Sequence, residues 1–230
     1  MQGARACQLY YITDRTAFAT DEPTRHRCLL EKIAEVARAG VDYIQLRERD
    51  LTNRDLEFLA REATRVLDEL KTEYRELRTK LLINSRSDVA LASGAAGVHL
   101  RSEDISPQEV KAIWERCGAG ARSRVLPPAP LIGVSCHSPR EVKQAENDGA
   151  SLAVFAPVFE KKDAPILAPA GLIQLREACE ARIPVIALGG ITLQNAGQCL
   201  EAGASGIAAI RMFQENDIAQ IVRALRSSAG

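Results

Sequence analysis

Short apolar runs and longer amphipathic stretches alternate along the whole chain. The runs VDYIQLR, AAGVHL, ASLAVF and ASGIAAI each follow a glycine, at Gly40, Gly94, Gly149 and Gly203. A glycine that closes an amphipathic stretch and leads into an apolar run reads as a helix end followed by a strand. The spacings from Gly40 to Gly94, Gly94 to Gly149 and Gly149 to Gly203 are 54, 55 and 54 residues. A period of that length holds two strand–helix units. Four further apolar runs fall between the marked ones, at residues 9–13, 81–84, 131–135 and 185–188. Short buried strands that alternate with helices pair in parallel through right-handed crossovers. Together these units predict a single-domain α/β fold, a (β/α)8 TIM barrel over residues 1–230. An open doubly wound sheet would leave the period unexplained, and no GxGxxG follows the first strand.

The densest chemical signal is IPVIALGGITLQNAGQCLEAGASGIAAIRMF, residues 183–213. A short strand ends in Gly189-Gly190, and Thr192 stands where it could cap a helix that closes at Gly203. Two glycines at a strand's carboxyl end let backbone N–H groups approach an anion, and a helix start behind them favours negative charge. In barrels of this type the loops after the last two strands commonly hold a phosphate. The other reading of the pair is a plain tight turn.

Composition narrows the picture. A 46% hydrophobic content is ample for a core. No apolar run approaches the roughly 18 residues that a membrane span needs, and the start of the chain has no signal-like apolar region, so a cytoplasmic protein with no membrane partner is expected. The six cysteines are scattered without a CxxC pair and read as small buried hydrophobes. Thirty basic residues balance thirty acidic ones, so no global basic field invites nucleic acid. The cations are nevertheless concentrated. Arg47, Arg49, Arg101, Lys161, Lys162 and Arg211 all fall at or just past predicted strand ends, beside Asn84, Ser135, His137, Glu103 and Asp104. That rim predicts a small ligand with more than one anionic group.

Within QLRERD, period-two alternation puts Gln45, Arg47 and Arg49 on one face, toward the barrel axis and its mouth. Arginine can clamp a diphosphate and glutamine can bind a heterocycle. An ion-pair layer made by Arg47 is the competing explanation. LLINSRSDVALASGAAGVHLRSED, residues 81–104, places Asn84 at one strand end and Asp104 just past the next. GVSCHS brings Ser135 and His137 to the mouth, and FAPVFEKKDAP follows the sixth strand with paired lysines. Of the histidines, His26 belongs to the first helix and His99 reads as a satisfied barrel residue. His137 is the candidate for proton transfer.

Taken in this order, from YYITDR to GIAAIRMF, these motifs resemble the thiamine phosphate synthase family and its thiazole tautomerase relatives, over nearly the whole chain. The resemblance implies a (β/α)8 barrel that joins hydroxymethylpyrimidine diphosphate to a thiazole phosphate with Mg²⁺, releasing diphosphate. It would give Gln45, Arg47, Arg49, Asn84, Ser135 and Lys161 to the pyrimidine diphosphate. Asp104 would hold Mg²⁺, and Gly190, Ile210 and position 211 would hold the thiazole phosphate.

Three departures stand out. The family reads N-D-R where this chain has Asn84-Ser85-Arg86, so one of two Mg²⁺ carboxylates is missing, with Asp88, Glu103 or the diphosphate itself left to complete the shell. FEKKD is shorter than the family's loop with T-x-T-K and lacks both threonines. Arg211 replaces a serine. The implied activity is that synthesis. The alternatives are a thiazole phosphate isomerase using His137, which needs no metal, and a non-catalytic phosphate-binding barrel. Oligomeric state is not encoded in any of these features.

Overall fold

A computed structural model describes residues 7–120, 128–160 and 168–228. Eight strands lie among them: β1 (Gln8–Ile12), β2 (Tyr43–Leu46), β3 (Lys80–Asn84), β4 (Gly97–Leu100), β5 (Leu131–Cys136), β6 (Leu152–Phe155), β7 (Val185–Ala187) and β8 (Gly206–Ala209). Each pairs in parallel with its neighbour in sequence, and β8 returns to β1, so the sheet is a closed barrel in the order β1 to β8. Every strand expected from the apolar runs is present, with ends displaced by a residue or so. Lys161 and Lys162, and most of the proline-containing loop at residues 122–130, lie outside the described residues.

The crossovers are α1 (Glu22–Arg38), α2 (Asn53–Glu73), α3 (Ser87–Ser93), α4 (Pro107–Gly120), α5 (Pro139–Asn147), α6 (Gly171–Ala178) and α7 (Ala196–Glu201). After β8 come α8 (Arg211–Gln214) and α9 (Ile218–Ser227). Several starts are written in the sequence. Asp21, Thr52, Ser138 and Asp217 each accept a hydrogen bond from a backbone N–H in the first turn of α1, α2, α5 and α9. The four glycines of the repeat adopt φ of 88°, 72°, 79° and 104°, the left-handed turn by which the chain leaves one helix for the next strand.

One boundary differs from the expected one. α7 begins at Ala196, and Thr192 does not cap it. The Asn195 side chain instead accepts from Thr192 N (2.7 Å) and donates to Gly190 O (3.0 Å). This local bridge holds residues 190–195 as a non-helical turn.

Side chains alternate between two cores. Tyr10, Ile12, Leu152, Val154, Ile186 and Ala208 fill the barrel interior. Their sequence neighbours, such as Leu9, Tyr11, Ala153, Phe155 and Ile207, pack outward under the helices. Strand starts carry a tighter constraint. A Cβ on Gly97 would lie 1.8 Å from Leu131 O, and one on Gly206 would lie 2.0 Å from Gln8 O. No side chain fits either place while β4 pairs with β5 and β8 with β1. We expect Gly97→Ala and Gly206→Ala each to cost about 1–3 kcal/mol of stability. At ~2–4 °C per kcal/mol for a chain of this size, thermal unfolding should show the loss directly. An unchanged melting temperature in both variants would contradict the packing.

Candidate active site

The carboxyl ends of the strands surround a cavity of about 380 Å³ lined by Ile12, Gln45, Arg47, Arg49, Asn84, His99, Arg101, Ser102, Glu103, Ser135, His137, Ala156, Leu188 and Ile210. A wider, shallower groove of about 490 Å³ runs along α2 past Arg61 and Asp68. It lies on the outer helical surface, whereas the polar side chains at the strand ends converge on the barrel mouth.

Alternation along β2 puts Gln45 inside the barrel and Arg47 and Arg49 above it, as expected. Gln45 is buried, and its Nε2 donates to Asn84 Oδ1 at 3.0 Å. The Arg47 backbone N–H donates to Thr13 Oγ1 at 3.0 Å, which ties the end of β2 to the end of β1. No carboxylate lies within 4 Å of the Arg47 guanidinium among the described residues, so no ion-pair layer forms there. Burial, then the nearby charges of Arg49 and Arg101, push the Arg47 pKa down. Three guanidiniums thus repel one another across one mouth, an arrangement that an anion relieves.

The frame beneath carries a feature that motif reading passed over. Arg15 is 2% exposed and bonds Glu22 (2.8 Å), Asp50 (2.6 Å) and Glu48 (3.3 Å). Glu48 also accepts from Arg15 N (3.0 Å) and from the Thr13 hydroxyl. The buried Arg15–Glu48 pair, with Glu22 and Asp50 at its exposed edge, locks the ends of β1 and β2 together. Its signal was the odd phase of Glu48, which sits between two mouth-facing arginines and therefore points the other way.

His99 lies at the floor. Its Nδ1 is 2.7 Å from Tyr10 Oη and its Nε2 is 2.9 Å from Ser135 Oγ. A Cβ at residue 133 would come 2.9 Å from the ring, so Gly133 is what leaves room for it. Burial, then the charge of Arg47, pushes the His99 pKa down to about 3. The ring is held neutral, and its two hydrogen bonds join β1, β4 and β5 beneath the mouth.

His137 is different. It is exposed, lines the mouth, and its Nδ1 lies 2.6 Å from Ala156 O. A proton on Nδ1 makes that bond and leaves Nε2 as an acceptor. Its backbone N–H donates to Glu141 Oε2 at 2.8 Å, while the Ser138 hydroxyl donates to Glu141 Oε1 at 3.1 Å and caps α5. This capping box fixes the position of the residue before the helix.

At the opposite rim, Leu188 and Ile210 line the cavity at the ends of the paired strands β7 and β8, and Arg211 opens α8. Gly189 and Gly190 have φ of 99° and 64°. The room they provide is taken by protein. A Cβ on Gly189 would lie 2.7 Å from Pro157 Cα, and one on Gly190 would lie 2.6 Å from Glu160 O. Val158 N and Phe159 N donate to Leu188 O (2.9 Å) and Gly189 O (3.0 Å), which ties the loop after β6 to this turn. Bulk at Gly190 would therefore displace that loop as well as any ligand.

The expected metal position is where the residues depart furthest from the resemblance. Asp104 stands behind Arg101. Its Oδ2 accepts from Arg101 N (2.8 Å) and its Oδ1 from Arg101 Nη2 (3.1 Å). Burial pushes the Asp104 carboxyl up, but hydrogen bonds from Arg101 and Ser85 outweigh it and hold its pKa below the usual value. Asp88 is clamped by Arg86 at 2.5 Å, and Glu103 lines the rim. No group of three His, Cys, Asp or Glu side chains that could hold a metal occurs among the described residues. A hard cation wants several oxygen donors. Of the two positions the resemblance implies for Mg²⁺, one is Ser85 and the other, Asp104, is already bonded to Arg101, so neither offers a free carboxylate.

A parallel barrel whose mouth sets one buried and one half-buried amide beneath three guanidiniums is an enzyme scaffold suited to small anions. Residues 9–213 match the family described as thiamine monophosphate synthase, and the chain belongs to that family. It is 38% identical over 209 residues to the putative thiamine-phosphate synthase 2 of Aquifex aeolicus, covering 90% of this chain and 98% of the other. It is 36% identical over 226 residues to the thiamine-phosphate synthase of Syntrophomonas wolfei, covering 95% and 94%. Among solved structures, the thiamine phosphate pyrophosphorylase from Pyrococcus furiosus superposes with a TM-score of 0.73 at 29% identity, covering 98% and 96%.

The depressed His99 pKa has a sign that can be checked. The unfolded chain binds this proton near pH 6.5 and the folded chain only near pH 3. The native state therefore keeps the full benefit of a neutral His99 above pH 6.5. It loses stability as pH falls through that window, by up to about 1.4 kcal/mol per unit. Ring resonances of His99 should stay constant from pH 8 to pH 5 in NMR titration. His99→Gln should flatten the dependence of unfolding free energy on pH over the same range.

Proposed function

We propose that this protein joins hydroxymethylpyrimidine diphosphate to a thiazole phosphate, forming thiamine phosphate and diphosphate. The observation that carries the reading is the set of three guanidiniums, Arg47, Arg49 and Arg101, above the Gln45–Asn84 amide pair in one cavity of a family-typical barrel. Gln45, Asn84 and Ser135 are suited to the polar edge of a pyrimidine. The arginines and Lys161 are suited to its diphosphate. Gly190, Ile210 and Arg211 are assigned to the thiazole phosphate.

The chemistry asks little acid–base work of the protein. The bond between the pyrimidine methylene carbon and the bridging oxygen breaks, and its electron pair leaves with diphosphate. The ring amine donates electron density to the cation that remains. The thiazole nitrogen lone pair then forms the new carbon–nitrogen bond, and no proton moves in either step. The protein must hold the two reactants in line and neutralise charge as it develops on the leaving oxygens, which guanidinium N–H donors do. Because the carboxylate expected to hold Mg²⁺ is already paired with Arg101, the charge of the leaving group falls to the protein's own cations. Six free thiols and the absence of any helix long and apolar enough to cross a membrane, among the described residues, are in keeping with work in the cytoplasm.

One observation supports a second reading, isomerisation of a thiazole phosphate. The Ala156 carbonyl orients His137 so that Nε2 can serve as a base at the mouth. A turnover assay with both phosphorylated substrates separates the two. For the synthase, Arg47→Ala and Arg49→Ala should each lower kcat/KM about 10–10²-fold, the loss of one or two charged hydrogen bonds, while His137→Ala keeps most of the activity. Absence of thiamine phosphate under all conditions, with thiazole isomerisation abolished by His137→Ala, would establish the isomerase instead.

A further inference from the structure

We propose that Arg101 takes the place of a divalent cation at the diphosphate end of the mouth, so that this chain binds diphosphate without metal. The inference deepens the proposed function and rests on it for the identity of the ligand. It follows from the triad of Ser85, Arg101 and Asp104. Arg101 Nε donates to Ser85 Oγ at 3.1 Å, and Arg101 Nη2 donates to Asp104 Oδ1 at 3.1 Å. The guanidinium therefore spans the two positions from which the resemblance implies that carboxylates hold Mg²⁺.

Charge bookkeeping agrees. Two carboxylates with a divalent cation sum to zero, and a serine, one carboxylate and one guanidinium also sum to zero. Serine at position 85, where the resemblance implies aspartate, and the presence of Arg101 are thus one balanced exchange. A divalent ion that entered as well would add its charge to a mouth already holding Arg47, Arg49 and Arg101.

Geometry also suits an anion. A guanidinium has five N–H donors in one plane. Ser85 and Asp104 use two, and the other three have no partner among the described residues. The Arg101 side chain is 48% exposed and lines the mouth cavity with the other two arginines. Asp104 at 11% exposure, further bonded to Arg101 N, holds the base of that side chain in place. In the reaction Arg101 would donate N–H groups to the departing oxygens without giving up a proton.

Position 85 makes the test practicable. Ser85 has φ of 60°, the one non-glycine residue with positive φ among those described. Aspartate and asparagine tolerate that conformation well. Ser85→Asp is therefore compatible with the backbone.

The experiment is calorimetric titration of inorganic diphosphate into chelator-treated protein, with and without added Mg²⁺. Mn²⁺ binding is followed by electron paramagnetic resonance, and circular dichroism checks the fold of each variant. The wild type should bind diphosphate in the absence of metal, with less than about a threefold change on adding Mg²⁺, and should not bind Mn²⁺. Arg101→Gly and Arg101→Gln should each weaken metal-free binding about 10–10²-fold, as expected for loss of charged hydrogen bonds. The double variant Ser85→Asp with Arg101→Gly should acquire Mn²⁺ binding and make diphosphate affinity metal-dependent. Wild-type binding that needs Mg²⁺, or metal-free affinity unchanged in both Arg101 variants, would overturn the inference. A parallel thiamine phosphate assay keeps the two readings apart. Absent turnover with metal-free, Arg101-dependent diphosphate binding sinks the proposed function and supports this inference. Mg²⁺-dependent turnover with Mg²⁺-dependent binding does the reverse.

Discussion

Everything in this molecule depends on β8 closing against β1. The register that joins them sets Gln8 opposite Gly206 and Tyr11 opposite Ala209. Closure removes free edges and, more consequentially, fixes the phase of all eight strands at once. A slip of one residue in any strand would turn its inward set outward. In β2 that slip would send Gln45 under the helices and leave Glu48 in the mouth. The missing side chains at Gly97 and Gly206 are what permit the strands to approach closely enough for the ring to close.

The site is built as an electrostatic strain held by that ring. Like charges at Arg47, Arg49 and Arg101 would drift apart on mobile loops. Here the ends of β1 and β2 are joined by the buried pair Arg15–Glu48, with the exposed Asp50 as a further partner of Arg15, and Arg101 is anchored to Asp104. Breaking a buried pair of this kind costs several kcal/mol, because one charge is left without a partner. The protein as a whole is neutral. Its attraction for anions is therefore local to the mouth and does not extend over the surface, and salt screens surface charge more than partly buried groups.

Much of this was legible in the order of residues. The glycine period announced the barrel, because a helix end in a repeating unit has one cheap solution. Period-two alternation placed Gln45, Arg47, Arg49, Ser135 and His137 at the mouth, since a strand has only two faces. What stayed hidden involves contacts whose partners are distant in the chain or depend on a turn. Glu48 and Arg15 meet across 33 positions. Thr192 looked like a cap, but Asn195 closes a competing turn with its own side chain and delays the helix. Arg101 was visible as a cation. That it would fold back on Asp104 and reach Ser85 depends on the turn after β4 and the left-handed residue after β3. Lys161, read as a diphosphate ligand, falls outside the described residues.

The glycine pair after β7 bears on how such chains are classified. Its backbone was expected to be open for a phosphate, yet the space beside both glycines is filled by residues 157–160. Two selective pressures therefore act on the same dipeptide, one from any ligand and one from the neighbouring loop. A descendant that abandoned its ligand would still be obliged to keep Gly189-Gly190, so the dipeptide records ancestry more faithfully than activity. A change of chemistry would leave its trace elsewhere, at positions such as 101, which lines the mouth half exposed.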